Sequence, residues 1–260
     1  TNNASKHLIS LSEFDDSFML IVSALSAVGT PESQNALIET YHGIKDEKAK
    51  MSVLANLGLT ESPTLATEEF LRNMMSQQEY KLKNTAILAM GNIGQKLLET
   101  DTEREEKIYK ELMEKLITSN NDVEKKVALL SLGNLSDKRA LSEIYKETNS
   151  TNETLRQYAT FALRFIEDGN VDIYLRDILK KESSERVKVS ALQAMTFRKM
   201  SPESLALQKE TLRKDVSEIV RMEALSNLAQ AGEKEELLYA KENESSQSIR
   251  NYAENLLAKY

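Results

Sequence analysis

Histidine and cysteine, two residue types that often carry acid–base, nucleophilic or metal chemistry, are almost absent from this sequence. It contains two histidines, His7 and His42, and no cysteine. A Ser-His-Asp triad would need one of these imidazoles, and a zinc site needs several His or Cys ligands at close spacing. Carboxylates are abundant, but a run such as "ETDTEREEK" (99–107) is typical of a solvated loop, whereas a general acid needs a dry pocket. We therefore predict no catalytic, metal-binding or cofactor-binding residue and expect that the chain is not an enzyme.

The composition favours helices and argues against some partners. The chain has 260 residues, 29% of them charged, with only eight Gly and three Pro. Because sheet proteins need frequent Gly and Pro turn signals, this scarcity predicts helices joined by short polar turns. The net charge of −7 disfavours nucleic acid as a partner, since phosphate binding needs a basic surface. The longest apolar stretch, "FMLIVSALSAVG" (18–29), is too short to span a bilayer, so we predict no transmembrane segment.

One pattern recurs along the whole chain. In "AILAMGNIG" (86–94) and "ALLSLGNLS" (128–136) an alanine is followed by two apolar residues, a small residue, an apolar residue and Gly. The first position of each copy is called the anchor here, and successive anchors are 29 to 42 residues apart. Periods near 33 residues are typical of solenoids of stacked helical hairpins. The anchors are Ala24, Val53, Ala86, Ala128, Ala159, Ala191, Ala224 and Ala253.

The positions after each anchor predict which face of the helix is buried. Four residues after the anchor the side chain is apolar in all eight copies, and one residue after it six of eight are Leu or Ile. These positions share one face of a helix, so they predict a buried stripe. Five residues after the anchor stand Gly29, Gly58, Gly91 and Gly133. We interpret these glycines as helix terminators, because Gly adopts the left-handed conformation easily.

The three prolines predict helix starts. Thr30-Pro31, Ser62-Pro63 and Ser201-Pro202 each pair a hydroxyl residue with proline. A hydroxyl at the N-cap followed by proline at the first helical position is typical of a helix N-terminus. Each pair is therefore expected to open the first helix of a hairpin.

A column of basic residues stands three positions before the anchors. Because this position shares a face with the anchor, we interpret the column as a structural ladder that points to the preceding turn and its acids. The alternative is a track for a phosphate backbone. Asp215 and Glu244 lie six residues before two of the bases and are assigned to the same ladder. The bases are Lys50, Lys83, Lys125, Arg156, Lys188, Arg221 and Arg250.

The second helices of the predicted hairpins resemble those of HEAT-repeat proteins. "EIVRMEALSNLAQAG" (218–232) and "ERVKVSALQAM" (185–195) carry the Val-Arg/Lys, Ala and Leu positions typical of that repeat. In HEAT repeats an Arg and a preceding Asp form a ladder between neighbouring units. Arg221 with Asp215, and Arg250 with Glu244, match that spacing.

A narrower resemblance follows from the order of four segments, "GTPESQNALIE" (29–39), "TAILAMGNIG" (85–94), "EKIYKELMEKL" (106–116) and "VALLSLGNLSDKRAL" (127–141). This order resembles the helical domain of large lipid transfer proteins, the vitellogenin and microsomal triglyceride transfer protein family. In that family the domain is an arch that braces lipid-carrying sheets and contacts partner proteins. The resemblance therefore implies a similar bracing or partner-binding role.

We predict an all-α fold, a right-handed α–α superhelix of about eight HEAT-like hairpins in one domain over residues 1–260. The anchor helices are expected on the concave side. The polar run "NSTNET" predicts a softer boundary near 149–154, and a start at Thr1 leaves open that the chain is a fragment of a longer protein. Because "NLLAKY" (255–260) still has an apolar pattern, we expect a continuation, a partner or a second copy at that end.

The predicted function is a scaffold whose concave surface binds a protein partner or another domain. The alternatives are the helical arch of a lipid-transfer assembly, with bound lipid, and a HEAT-type nucleic-acid-binding protein. Phe161 in "YATFALRF" (158–165) is the candidate binding residue, because its position faces away from the seam, whereas Tyr158 and Phe165 are interpreted as packing residues. A soluble protein is expected. Its compartment stays open, with an extracytoplasmic one favoured if the lipid-transfer resemblance holds.

Overall fold

The fold is a series of helical hairpins. A computed structural model describes residues 16–259, in which there are 15 α-helices and no β-strand. The described chain divides into two compact units, one ending at Asp137 and one beginning at Lys138. The first unit contains α1 (Asp16–Val28), α2 (Pro31–Gly43), α3 (Glu47–Leu57), α4 (Leu65–Met75), α5 (Tyr80–Leu97), α6 (Thr102–Thr118) and α7 (Asp122–Leu135).

The second unit contains eight α-helices and two short 3₁₀ turns, Lys138–Ala140 and Leu163–Phe165. The α-helices are α8 (Leu141–Glu147), α9 (Glu153–Ala162), α10 (Gly169–Lys181), α11 (Glu185–Thr196), α12 (Pro202–Lys214), α13 (Glu218–Gln230), α14 (Lys234–Asn243) and α15 (Gln247–Leu257). Residues 149–154, where a softer boundary is predicted, connect α8 and α9 inside this unit.

Each hairpin pairs a first helix with an anchor helix. The pairs are α2/α3, α4/α5 and α6/α7 in the first unit and α8/α9, α10/α11, α12/α13 and α14/α15 in the second. Within each unit successive anchor helices also pack on one another, as α3 does on α5 and α11 on α13. The described helices thus form seven hairpins and the preceding anchor helix α1. The prediction of an all-α solenoid of HEAT-like hairpins is confirmed.

The anchor positions form the centre of this packing. Seven of the eight anchor side chains are at most 1% exposed, and from α3 to α13 the side chains one and four positions later are also buried. In α1 the predicted register is wrong, because Ala24 is exposed and Val28 is 62% exposed. Val22 is buried there instead, and the buried Ser26 hydroxyl donates to the Asn56 carbonyl at 2.5 Å. This contact fixes a different face of α1 against α3.

Two of the four repeat glycines do not terminate helices. Gly29 has φ +66° and follows α1, as predicted. Gly58, in contrast, is right-handed at the end of α3, and Gly91 and Gly133 lie inside α5 and α7. A Cβ at Gly91 would overlap the carbonyl oxygen of Ser131. The terminator interpretation is therefore wrong for Gly91 and Gly133, whereas α3 does end at Gly58, without the left-handed conformation. At Gly91 the missing side chain lets α5 and α7 approach closely.

Two of the three proline signals mark the helix starts correctly. Thr30 and Ser201 are N-caps whose side chains accept from backbone N–H groups, and proline follows each of them. The prediction at Ser62-Pro63 is wrong by two residues, because Thr64 caps α4 and accepts from Thr67 N at 3.2 Å. The Thr64 N–H donates to the buried side chain of Gln34, and this contact sets the start of α4.

The last described helix, α15, carries the end for which a continuation, a partner or a second copy is predicted. Its exposed side chains are mostly polar, and Ile249 and Ala253 are buried against the rest of the unit. Leu256 and Leu257 are half-buried, and a second copy or partner at this end stays a prediction. The exposed polar residues are Gln247, Ser248, Asn251, Glu254 and Asn255.

Candidate functional site

Four bases of the predicted column bind carboxylates of the following hairpin. In the second unit each of these carboxylates belongs to the C-cap residue of the first helix in the following hairpin. The side chains of the pairs are between 7% and 40% exposed. The pairs are Lys83 Nζ with Glu124 Oε1 at 2.6 Å, Arg156 Nε with Glu182 Oε2 at 2.9 Å, Lys188 Nζ with Asp215 Oδ2 at 2.6 Å, and Arg221 Nε with Glu244 Oε1 at 2.9 Å.

The arginines of the column also close the turn of their own hairpin. Arg221 Nη1 donates to the carbonyls of Asp215 at 2.9 Å and Val216 at 3.3 Å. Arg156 and Arg250 make the corresponding contacts with the turns that precede α9 and α15. Each of these side chains therefore satisfies backbone carbonyls, while Arg156 and Arg221 also join two successive hairpins.

The remaining residues of the column lie as follows. Lys50 Nζ is 5.1 Å from the ring centroid of Tyr41, and Lys125 is half-buried in the first turns of α7. Asp215 and Glu244 do meet the column, but their carboxylates bind the base of the preceding hairpin, and only their carbonyls meet the base of their own.

A second row of contacts runs beside these ion pairs. Each serine that caps an anchor helix donates its hydroxyl to the first-turn glutamate of the preceding anchor helix. Acidic groups at this position are favoured by the helix dipole. The contacts are Ser184 to Glu153 at 2.8 Å, Ser217 to Glu185 at 2.8 Å and Ser246 to Glu218 at 2.6 Å.

The ionisation of Glu182 shows how these contacts hold a carboxylate. Burial raises its pKa, but hydrogen bonds from Arg156 and from the backbone N–H groups of Ser184 and Ser183 outweigh burial, so the net pKa is lowered. The carboxylate is thus held in its charged form beside Arg156. Because four of the seven bases are matched in this way, the column is poorly suited to track a phosphate backbone.

A cluster of three phenylalanine rings lies in the second unit, and two of the rings pack on a buried arginine. Arg164 is 8% exposed, and its guanidinium carbon lies 4.3 Å from the ring centroid of Phe161 and 4.5 Å from that of Phe165. Phe197 meets both rings edge-on, at centroid distances of 6.2 and 5.2 Å. Burial lowers the pKa of Arg164 to about 10, so the guanidinium is charged at neutral pH. We call Phe161, Phe165 and Phe197 the aromatic ledge.

Two large apolar side chains of the ledge are exposed to solvent. Phe165 is 42% and Phe197 55% exposed, and Phe161 is half-buried. Reading Phe165 as a packing residue is therefore wrong. Phe197 was missed in the sequence, although it stands six residues after its anchor, just as Phe165 does. That shared repeat position is the signal that could have found it.

Arg198 holds the turns on which the ledge stands. Its Nε donates to Asp172 Oδ1 at 2.6 Å, and its Nη1 donates to the carbonyls of Leu163 at 3.2 Å and Ile166 at 2.7 Å. These contacts join the end of α11 to the turn between α9 and α10. A cleft of about 470 Å³ opens beside Phe165 and Phe197, and its wall also contains Lys199 and Glu167.

The two histidines and the acidic residues show no metal geometry in the part of the chain that is described. His7 lies outside that part, and His42 packs edge-on against the rings of Tyr41 and Phe70. Across residues 16–259 no group of three or more His, Asp or Glu side chains is placed to hold a metal ion. None of the helices in that range is both long and apolar enough to cross a membrane.

The hairpins and their ion-pair ladder define a helical-repeat protein of the HEAT-like class. The family model of the vitellogenin TPR domain matches residues 5–172 of this chain. The chain therefore belongs to the vitellogenin TPR domain family, and the narrower resemblance seen in the sequence is confirmed. Comparison with curated proteins gave no match.

Three solved structures are similar to the whole chain. The complex of CpcE and CpcF of phycocyanin lyase from Nostoc sp. PCC7120 has 14% identity and a TM-score of 0.49, over 98% of this chain and 94% of that chain. Human deoxyhypusine hydroxylase in complex with glycerol has 15% identity and a TM-score of 0.43, over 100% and 95%. An engineered protein has 16% identity and a TM-score of 0.42, over 99% and 78%.

These neighbours correct one prediction. The expectation that the chain is not an enzyme is contradicted, because two of the similar structures are a lyase complex and a hydroxylase. At 14% to 16% identity the likeness concerns the fold, and it assigns no reaction or ligand to this chain.

Proposed function

We propose that the chain is a helical-repeat scaffold that binds a protein partner through the aromatic ledge of its second unit. The observation that carries the proposal is the exposure of Phe165, whose ring lies on the buried guanidinium of Arg164, and of Phe197, which meets the Phe165 ring edge-on. Large aromatic side chains held in fixed positions are the residues that most often dominate binding energy at protein interfaces. Because the ring stack is already ordered, a partner would bind it with little further loss of side-chain entropy.

The ion pairs of the second unit favour the aromatic ledge, and not the basic column, as the binding surface. Arg156, Lys188 and Arg221 are matched with carboxylates, and binding an anion there would require breaking those pairs. The exposed apolar area of the ledge, in contrast, is available without rearrangement. Exposed apolar patches on a folded chain are typical of interaction sites.

Site-specific photo-crosslinking in extracts of the native source tests the proposal. A photoreactive phenylalanine analogue replaces Phe197 in one variant, and the 96% exposed Val216 in a matched control on the same unit. We expect a discrete protein adduct at position 197 and none at 216. Phe165→Ala in the first variant should reduce the adduct about tenfold, as loss of a hot-spot side chain does. No adduct at 197, or equal adducts at both positions, would refute the proposal.

A second candidate function is lipid handling as the helical arch of a larger assembly. It is favoured by the membership in the vitellogenin TPR domain family and by exposed apolar side chains on α1, where Met19, Leu20 and Val28 are 41%, 71% and 62% exposed. Native mass spectrometry with lipid extraction of the same sample tests it. Bound lipid that is lost in a Leu20→Ser variant would favour this function, whereas a lipid-free polypeptide would leave the protein-binding scaffold.

A further inference from the structure

We propose that an exposed apolar face of α1 binds residues 4–13 of the same chain, as the first helix of an eighth hairpin. This face is formed by Leu20, Ala24 and Val28, and we call it the α1 face. Leu20 is 71% and Val28 62% exposed, and Ala24 is exposed as well. The inference concerns the first unit and is independent of the aromatic ledge in the second.

The α1 face occupies repeat positions that are buried in the next hairpin. Its three residues stand four positions before the anchor, at the anchor and four positions after it. In α3 the same positions are held by Ala49, Val53 and Leu57, and each of these side chains is 0% exposed. The sequence of α1 is therefore that of an anchor helix whose apolar face is built to be covered.

The difference between α1 and α3 lies in the helix that precedes them. α3 packs against α2, the first helix of its own hairpin, and against the neighbouring anchor helices α1 and α5. α1 packs against α2 and α3, which both follow it, and no first helix precedes it within residues 16–259. A first helix from the segment before α1 would supply the cover that α2 gives to α3.

The segment "ASKHLISLSE" (4–13) has the pattern of an amphipathic helix. Ala4, Leu8 and Leu11 recur at the spacing i, i+4, i+7 and so share one face of a helix. Ser10 is the middle residue of the opposite face, on which all side chains are polar. The family model already matches from residue 5, so this segment belongs to the same domain as α1.

The spacing of the described hairpins also fits this assignment. In the hairpin of α8 and α9 the two helices begin twelve residues apart, at Leu141 and Glu153. Ala4 stands at the same distance before Asp16, where α1 begins. Because the segment is joined directly to α1, its effective concentration at the α1 face is in the millimolar range, so a weak apolar contact is enough to hold it.

The rate at which a maleimide labels an Ala24→Cys variant of the full chain tests the inference. The natural chain has no cysteine, so this thiol is the only one present. Val216→Cys, at a 96% exposed position, gives the rate for an uncovered thiol. We expect the thiol at position 24 to react about tenfold more slowly, because a terminal helix protects its contacts until it opens locally.

A pair of aspartate substitutions in the Ala24→Cys background provides the matched control. Leu8→Asp places a charge on the apolar face of residues 4–13, so it should remove the protection and raise the labelling rate about tenfold. Ser10→Asp adds the same charge to the opposite face and should leave the rate unchanged. Circular dichroism and the unchanged rate of Val216→Cys in each background show that the rest of the chain is folded.

The other possible occupants of the α1 face give different results. A rate that falls as the protein concentration rises and ignores Leu8→Asp would indicate a second copy. A rate that rises only when lipid is extracted would indicate lipid, and it would support the second candidate function. Either result, fast labelling at position 24 in the unmodified background, or equal effects of the two aspartate variants would overturn the inference. None of these results bears on crosslinking at Phe197, so the proposed partner-binding function is tested separately.

Discussion

Replacing Glu182 by Gln should destabilise the second unit by an amount that depends on pH. The carboxylate accepts from Arg156 at 2.9 and 3.4 Å and from the backbone N–H groups of Ser183 and Ser184 at 2.9 Å each. The amide oxygen of Gln can keep the backbone contacts, so the loss is mainly the bond to the guanidinium. Hydrogen bonds to charged groups contribute about 1.5–3 kcal/mol. Because the two side chains are 20% and 13% exposed, we expect a loss of about 2 kcal/mol at pH 7.

The sign of the pH dependence follows from the lowered pKa of Glu182. Despite the opposing effect of burial, contacts from Arg156 and the Ser184 and Ser183 N–H groups hold this pKa below that of an unfolded glutamate. The stabilisation is therefore complete above the unfolded pKa, which is about 4.3, and is lost as the pH falls through the lower folded value. The difference between wild type and Glu182→Gln should be constant near neutral pH and disappear in acid.

Urea unfolding followed by circular dichroism, repeated from pH 7 to pH 3, measures this difference. If the two units unfold separately, hydrogen exchange of α9 to α11 shows whether the loss of stability lies in these helices. The matched control is Asp177→Asn, which removes the carboxylate from the exposed pair with Lys181 on the same helix. Exposed pairs contribute little, so this variant should match wild type. An equal effect of both variants, or a Glu182→Gln effect that persists unchanged at pH 3, would refute the reasoning.

Two further substitutions test how the helices pack. Gly91→Ala should cost about 1–3 kcal/mol in urea unfolding, because its Cβ would overlap the Ser131 carbonyl, whereas Gly169→Ala, with nothing within 4 Å of the added atom, should cost nothing measurable. Val22→Ala should lower stability by about 2 kcal/mol and Ala24→Val should leave it unchanged, since only Val22 is buried. The reverse order in the second pair would show that the register predicted from the sequence is correct after all.

The sequence predicted the repeat well because burial recurs at fixed positions. The anchor and the positions one and four residues later are buried in nearly every hairpin. They therefore carry the same residue types, and periodicity alone reveals them. Gly91 shows the limit of this reasoning. A glycine that allows close approach and a glycine that ends a helix look the same in sequence, and only the position of Ser131 separates them.

Only part of the candidate site was predicted, because helical spacing reveals the residues of one helix but not their contacts with another hairpin. Phe161 was found because helical spacing places it away from the seam. Phe197 was not, because it follows the end of α11 and joins the ledge through contacts with another hairpin. The bases of the ladder were found from spacing, but their carboxylate partners come from the next hairpin, as Glu244 does for Arg221. Contacts of this kind depend on stacking, which a single repeat does not encode.

The two ends of the anchor helices in the second unit have opposite chemistry, and helix polarity explains why. The N-terminal ends carry unpaired N–H groups and a positive dipole, so capping serines and first-turn glutamates are favoured there and bind one another between hairpins. The C-terminal ends carry unpaired carbonyl groups and a negative dipole instead, and after α9 the carbonyls of Leu163 and Ile166 accept from Arg198. Arg164 stands where Gly91 stands in α5, and a side chain of that size cannot fill a position of close backbone approach. There α9 ends at Ala162 and continues as a 3₁₀ turn that presents Phe165 to solvent. Phe165 is therefore exposed where the packing residue of the repeat changes from glycine to arginine.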